Sequence, residues 1–339
     1  MNLAWMALVV GSVLGWSFAC MVVAGSDDPP VSPLVLLKAG QAPVALFGHD
    51  PKRSKPHLDY VQLPGGPVVT RRFPMVKDQP GETRDHPHHR GVWFAHGDVA
   101  LENHKPPLPI PGLAGIDFWS EGAGRGRIQT RSPTPEHGPA GEIIWTCDWR
   151  DPAGAILLTE RQTWSTQAVG PDWLILFETE LQATAGTVTF GDTKEGTFGL
   201  RLAEGLTPKR GGVLTNSKGG KGEAECWGQL ADWVDVSGTL DGKEVGVALF
   251  DDAGNPHRAA WHVRSYGLLA ANPFGRARSG FPGRKGQTDL VTLPAGATLR
   301  LRYAICLHEG RADPERLRRA YTEFCKGRGN AVQCPPAPK

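Results

Sequence analysis

The sequence predicts an all-β fold, a large antiparallel β-sandwich with one C-terminal helix. Three observations carry that reading. Turn-forming residues are abundant, with 43 Gly and 29 Pro among 339 residues, and such punctuation favours short strands joined by tight turns. Between those breaks, apolar and polar residues alternate with the two-residue period of a strand. Helical spacing of apolar residues is confined to the end of the chain.

Along the chain, residues 3–24 are apolar or small, and the first charged side chain is Asp27. Ala24, followed at once by polar, Pro-rich sequence, marks a signal peptide over 1–24 and a linker over 25–33. A retained membrane anchor is the alternative. Removal of the segment implies export to the periplasm or the cell exterior, with no stable membrane span left. Alternating runs then occupy 67–73, 91–99, 142–149, 156–165, 173–183, 197–203, 245–251, 261–269 and 298–307. They place a sandwich domain, sheet packed on sheet, within 34–310. Residues 311–339 make a C-terminal helix and tail. Asp313 caps the helix, Pro314 takes its first turn, and Leu317, Ala320, Tyr321 and Phe324 share one apolar face that packs on the sandwich.

Composition narrows the function. The chain carries 37 Lys and Arg against 35 Asp and Glu, with no basic run, so nucleic acid is not expected as a partner. Glycine-rich phosphate loops, nucleophile elbows and dinucleotide fingerprints are absent from the sequence. Loss of Cys20 with the leader leaves Cys147, Cys226, Cys306, Cys325 and Cys334, an odd set. Cys147 and Cys306 sit in strand-like runs as buried thiols, while Cys325 and Cys334 are close enough in sequence for a local disulfide in an oxidising compartment.

The densest polar signal is Asp85-His86-Pro87-His88-His89-Arg90-Gly91, followed by Trp93, His96 and Asp98. In an extended segment, residues two apart point the same way, so His86 and His88 face one cavity and His89 the opposite side. Imidazole titrates near neutral pH and suits proton transfer. Three further stripes share the strand period: Asp117, Trp119 and Glu121; Glu195, Thr197, Gly199 and Arg201; and His262, Arg264 and Tyr266, closed by Asn272, Pro273 and Phe274. A merely solvated face is usually Lys, Glu, Ser and Thr, whereas His, Arg, Tyr and Trp supply a proton donor, an anion clamp and a stacking surface. No paired cysteines or helical His pair of a zinc site is present. No cofactor is expected, although His86 and His88 with a carboxylate are compatible with a divalent metal.

The runs Asp85 to Asp98, Asp117-Phe118-Trp119, Gly191 to Gly196, Trp261 to Gly267 and Asn272 to Gly275 resemble a bacterial family labelled PmoA-like, over roughly Tyr60 to Gly310. The resemblance implies an exported protein of polysaccharide-degrading bacteria, with an architecture similar to the sugar-binding galactose mutarotases. The sequence departs from that family in a Pro-rich insertion containing His104, Pro106, Pro107, Pro109 and Pro111, a stiff loop expected beside the histidines.

Three functional readings follow. The first is an enzyme acting on a sugar or sugar derivative by acid/base chemistry, as an epimerase, lyase or hydrolase, with a small molecule or oligosaccharide as its ligand. His88 and His262 are its acid and base, with Glu195 as the alternative base. Arg90, Arg201 and Arg264 hold an oxyanion or carboxylate, Trp93, Trp119 and Tyr266 stack on the sugar, and His86, His96, Asp117 and Asn272 complete the binding set. The second is a carbohydrate-binding module without turnover. The third is a metal-dependent oxidoreductase or hydrolase at His86 and His88.

Overall fold

Alternating strands need a cover for their apolar face, and here two antiparallel sheets cover each other. The structure is a computed structural model that describes residues 35–48 and 52–327; the leader, the linker and Cys334 lie outside them. A seven-stranded sheet runs in the order Val35–Ala39, Ala42–Gly48, His57–Val61, Val92–His96, Gly196–Arg201, Leu268–Asn272, Ala260–Arg264. A nine-stranded sheet lies against it, centred on the long strands Ile156–Val169, Asp172–Gln182 and Thr298–Glu309. Three short strands, Val99–Leu101, Val188–Phe190 and Val291–Leu293, form a third sheet. The all-β sandwich is therefore what the chain forms.

Rings fill the space between the two large sheets. Phe198 stacks on Phe177 with centroids 4.8 Å apart, Phe94 lies 5.5 Å from Phe177, and Trp149 meets both Phe94 and Phe118. Cys147 and Cys306 are buried, as expected. The terminal helix, Pro314–Lys326, begins where Asp313 accepts from the backbone of Glu315 at 2.9 Å and Arg316 at 3.3 Å. Its Leu317, Ala320, Tyr321 and Phe324 pack on Leu174, Phe250, Ala304 and Cys306, on the nine-stranded sheet. Among the described residues, no helix is long and apolar enough to cross a membrane.

Two expected strands differ. The 67–73 run makes only isolated bridges, Gln62 with Val68 and Thr70 with Leu202, because Pro67 and Pro74 at its ends have no N–H to extend a ladder. The 261–269 run is a hairpin of two strands that turns at Gly267, with φ of 98°. Periodicity also leaves 35–61 without a strand, whereas three form there.

Candidate functional site

Strand register builds the floor of the site. His57 pairs across with Trp93, Trp93 with Gly199, Gly199 with Ala270, and Ala270 with His262. Residues directly opposite share a face, so these five form one row on the outward side of the seven-stranded sheet, opposite Phe94 and Phe198. Two residues along, Arg201 and Arg264 flank Leu268 in a second row.

The 83–90 segment folds over this floor as a turn, not a strand. His86 has a left-handed φ of 44°, a region that His enters more readily than most residues, and the His89 N–H donates to the His86 carbonyl at 2.9 Å. Arg71 gathers the turn from below, donating to the carbonyls of Thr83 at 3.3 Å, Asp85 at 2.8 Å, His86 at 2.8 Å and His89 at 3.1 Å. Gly91 follows where a Cβ would stand 1.9 Å from the Leu58 carbonyl.

That turn overturns the expected alternation. His86, His88 and His89 all meet: His86 stacks on His89 at 4.8 Å, and His88 stands edge-on to His86 at 5.8 Å and to His89 at 4.5 Å. The column continues in both directions, with Tyr266 stacked on His86 and Trp93 stacked on His89, each at 5.0 Å. Trp119 closes the base, 5.0 Å from Trp93.

Charged groups surround the column. Asp85 Oδ1 accepts from Arg71 at 2.6 Å and Arg201 at 2.7 Å, while its Oδ2 meets His86 Nδ1 at 2.9 Å. Burial alone would raise the Asp85 carboxyl, but Arg201, His86 and Arg71 hold it below the usual range. Lys55 donates to the Trp119 carbonyl at 2.6 Å and lies 3.8 Å from Glu121, which also binds Arg90 and accepts from Ser54 at 2.5 Å. Burial opposes ionisation of Glu121, yet these donors and cations pull it down to about 2. Burial, reinforced by Lys55, His86 and Arg90, lowers His88 to about 4, and burial with His88 and Arg201 holds His89 well below its ordinary value. Glu195 is raised, mainly by burial and then by Asp117. Tyr266 is pushed up to about 12 by burial, against the opposing charges of Arg201 and Arg264. Arg264 pairs with Glu223 at 2.8 Å and lies over Trp227.

Several expected roles need correction. His96 points from the other face of its strand into the core, where it donates to or accepts from no substrate-facing group: Nε2 sits 2.8 Å from the Gly191 carbonyl and the ring packs on Phe274. Trp93 and Trp119 are 1% and 0% exposed, so they cannot stack on a sugar; His89 covers Trp93 instead. Asp117, Trp119 and Glu121 do not lie on a strand, because Asp117 accepts from the backbone of Trp119 and Ser120 in a turn and pairs with Arg125 at 3.0 Å. Asn272 spends its amide on the carbonyls of Thr193 and Lys194 and its oxygen on Phe274 and Gly275. His262 is 2% exposed. Burial, then Arg264 and Lys194, lowers it to about 3. The Pro-rich loop is tied down by His104 on Asp151 at 3.0 Å and by Arg278 at Gly112, neither of which touches the histidines.

Arg201 is 0% exposed and spends its guanidinium on Asp85, so it does not serve as an open anion clamp. Of the other expected residues, His86, His88 and Tyr266 meet in the ring column, and Arg90, Glu195 and Arg264 are the charged candidates near it. Sequence reasoning left out Lys55 and Arg71, cations outside the histidine motif, and it set His89 on the wrong side. Among the described residues, no three His, Cys, Asp or Glu side chains converge as metal ligands do.

A family model described as a family of unknown function (DUF6807) matches residues 35–322. The expected PmoA-like family is thereby corrected, since nothing in the comparisons indicates it. No protein of curated function matches the sequence. Solved structures with a similar course include a polysaccharide lyase, 12% identical with TM-score 0.37, where the alignment covers 82% of this chain and 34% of the lyase, so the chain spans about a third of that protein. A galactose mutarotase-like protein from Lactobacillus casei is 9% identical with TM-score 0.42, over 81% of this chain and 100% of that one. A putative aldose 1-epimerase from Escherichia coli is 12% identical with TM-score 0.42, over 82% of this chain and 99% of that one.

Proposed function

The chain belongs to the DUF6807 family of unknown function, and from the geometry of its site we propose an exported enzyme that acts on a sugar or sugar derivative by acid/base chemistry. The observation that carries this reading is His88. It is half-buried at the edge of the ring column, edge-on to His86 and His89, and burial first, then the charges of Lys55, His86 and Arg90, lower its imidazole to about 4, so that it is unprotonated at neutral pH. An unprotonated imidazole within reach of solvent is a proton acceptor.

Tyr266 stacks on His86, and Glu195 and Arg264 share its surroundings. In the proposed division of labour His88 takes a proton and Glu195, whose carboxyl is shifted upward by burial, returns one. Arg264 holds the charge that develops. His262, shut from solvent, is no part of that pair.

Polar groups ringed around an aromatic column match a ligand whose hydroxyls surround an apolar ring face. The test is proton NMR of the full chain with a panel of monosaccharides and oligosaccharides, watching for anomeric exchange, epimerisation or an unsaturated product. Conversion of a panel member supports the reading; binding without conversion gives the site to a non-catalytic module. Export is tested separately, by mass spectrometry of the N-terminus of protein recovered outside the cytoplasm.

A further inference from the structure

We infer that the ligand of this site is an anionic sugar, one whose acidic substituent enters beside Arg90 at the Glu121 cluster. The inference rests on the sugar reading above and adds the charge of the substrate.

Two carboxylates in the site are each straddled by two cations. Asp85 serves both Arg71 and Arg201, and Glu121 serves both Arg90 and Lys55. Each cluster therefore carries one more positive than negative charge. The four cationic side chains are 13% exposed at most, and a positive charge withheld from water needs a partner. Of the nearby acids, Glu82 acts on Arg71 in the Asp85 cluster, whereas Glu223 is matched by Arg264 and Asp117 by Arg125, which leaves the Glu121 cluster with its excess.

The buried polar atoms that lack a hydrogen-bond partner point to the same chemistry. Arg90 Nε, on a side chain 13% exposed, is among them, and a guanidinium nitrogen can only donate. A donor without an acceptor matches a ligand group that only accepts, such as a carboxylate or an oxyanion ester. An open groove of about 550 Å³ meets the Glu121 cluster, lined by Arg53, Arg90, Arg125 and Arg127, with Glu121 as its one carboxylate.

Calorimetric titration of the full chain tests this with glucose and galactose against their uronates, their 6-phosphates and their 6-sulfates. At least one acidic member should bind about tenfold or more tightly than its neutral parent, the factor expected of one charged hydrogen bond. The preference should shrink as salt rises, and the arms identify the acidic group. Arg90→Gln should lower the ratio, and Arg90→Lys should restore part of it. If thermal unfolding shows that Arg90→Gln does not fold, the salt dependence of the wild-type ratio decides. Equal affinity for neutral and acidic sugars overturns the inference and leaves the acid/base reading standing. Failure to bind any sugar, neutral or acidic, overturns both.

Discussion

Gly199 lies directly across from Trp93, and a Cβ on Gly199 would stand 2.7 Å from Cζ2 of that indole and 3.0 Å from Cη2 of Trp119. Buried indoles have no room to yield. Gly199→Ala should push Trp93 against His89 and cost about 1–3 kcal/mol, the usual penalty for overpacking. Denaturant unfolding and near-ultraviolet circular dichroism check this; an unchanged spectrum and midpoint would show that the floor is less tightly built.

Asp85→Asn should loosen the histidine turn. The substitution leaves Arg71 and Arg201, 0% and 1% exposed at their side chains, without their carboxylate. Breaking a buried pair costs about 3–5 kcal/mol, and the partial exposure of Asp85 puts the loss toward the lower end. Urea unfolding measures it, and limited proteolysis near residue 84 should become faster. A variant as stable as wild type would mean that the carbonyls around Arg71 satisfy its charge alone.

Glu160 gives a pH signature in the core. It is fully buried, and although Trp149, Thr179 and Gln162 donate to it, burial raises its carboxyl to about 7. The folded state then keeps the proton over a window where the unfolded chain has lost it, so stability falls as pH rises from about 4.3 to 7 and levels off above. Glu160→Gln removes this titration. Its stability relative to wild type should increase across that window by up to about 3 kcal/mol. A difference that does not vary with pH would place the Glu160 carboxyl in the ordinary range.

Arg264→Lys separates charge from shape. Arg264 holds Glu223 at 2.8 Å and lies 5.3 Å from the Trp227 ring centroid; Lys keeps the charge and loses the planar fork. Stability should change by no more than about 1 kcal/mol, as for exposed ion pairs. Affinity for the sugar ligand should fall about tenfold. Unchanged affinity in a folded variant would return Arg264 to a structural role on Glu223.

How much of this was legible in the sequence depends on local order. Alternation placed Thr197, Gly199 and Arg201 opposite Phe198 and Leu200, and the terminal helix followed from Asp313 and its apolar stripe, because strand and helix periods are local. The 83–90 segment defeated the same rule, since a left-handed His86 and the reach of Arg71 across the fold make it a turn. Lys55 and Glu121 meet across 66 positions of sequence, a proximity with no periodic trace. His96 obeyed the strand period but on the core side, which the motif around it does not reveal.

The central claim is tested most directly at His88, by the pH dependence of turnover and by His88→Ala on the first sugar that the NMR panel shows to be converted. His88 is lowered to about 4 by burial and by Lys55, His86 and Arg90, so the wild-type rate should hold steady through neutral pH and fall as pH drops toward 4, where the imidazole gains its proton. His88→Ala should bind the sugar with little change and turn it over at least about 100-fold more slowly, the low end of what a positioned acid or base contributes. A folded His88→Ala protein that turns the sugar over at the wild-type rate would contradict the account.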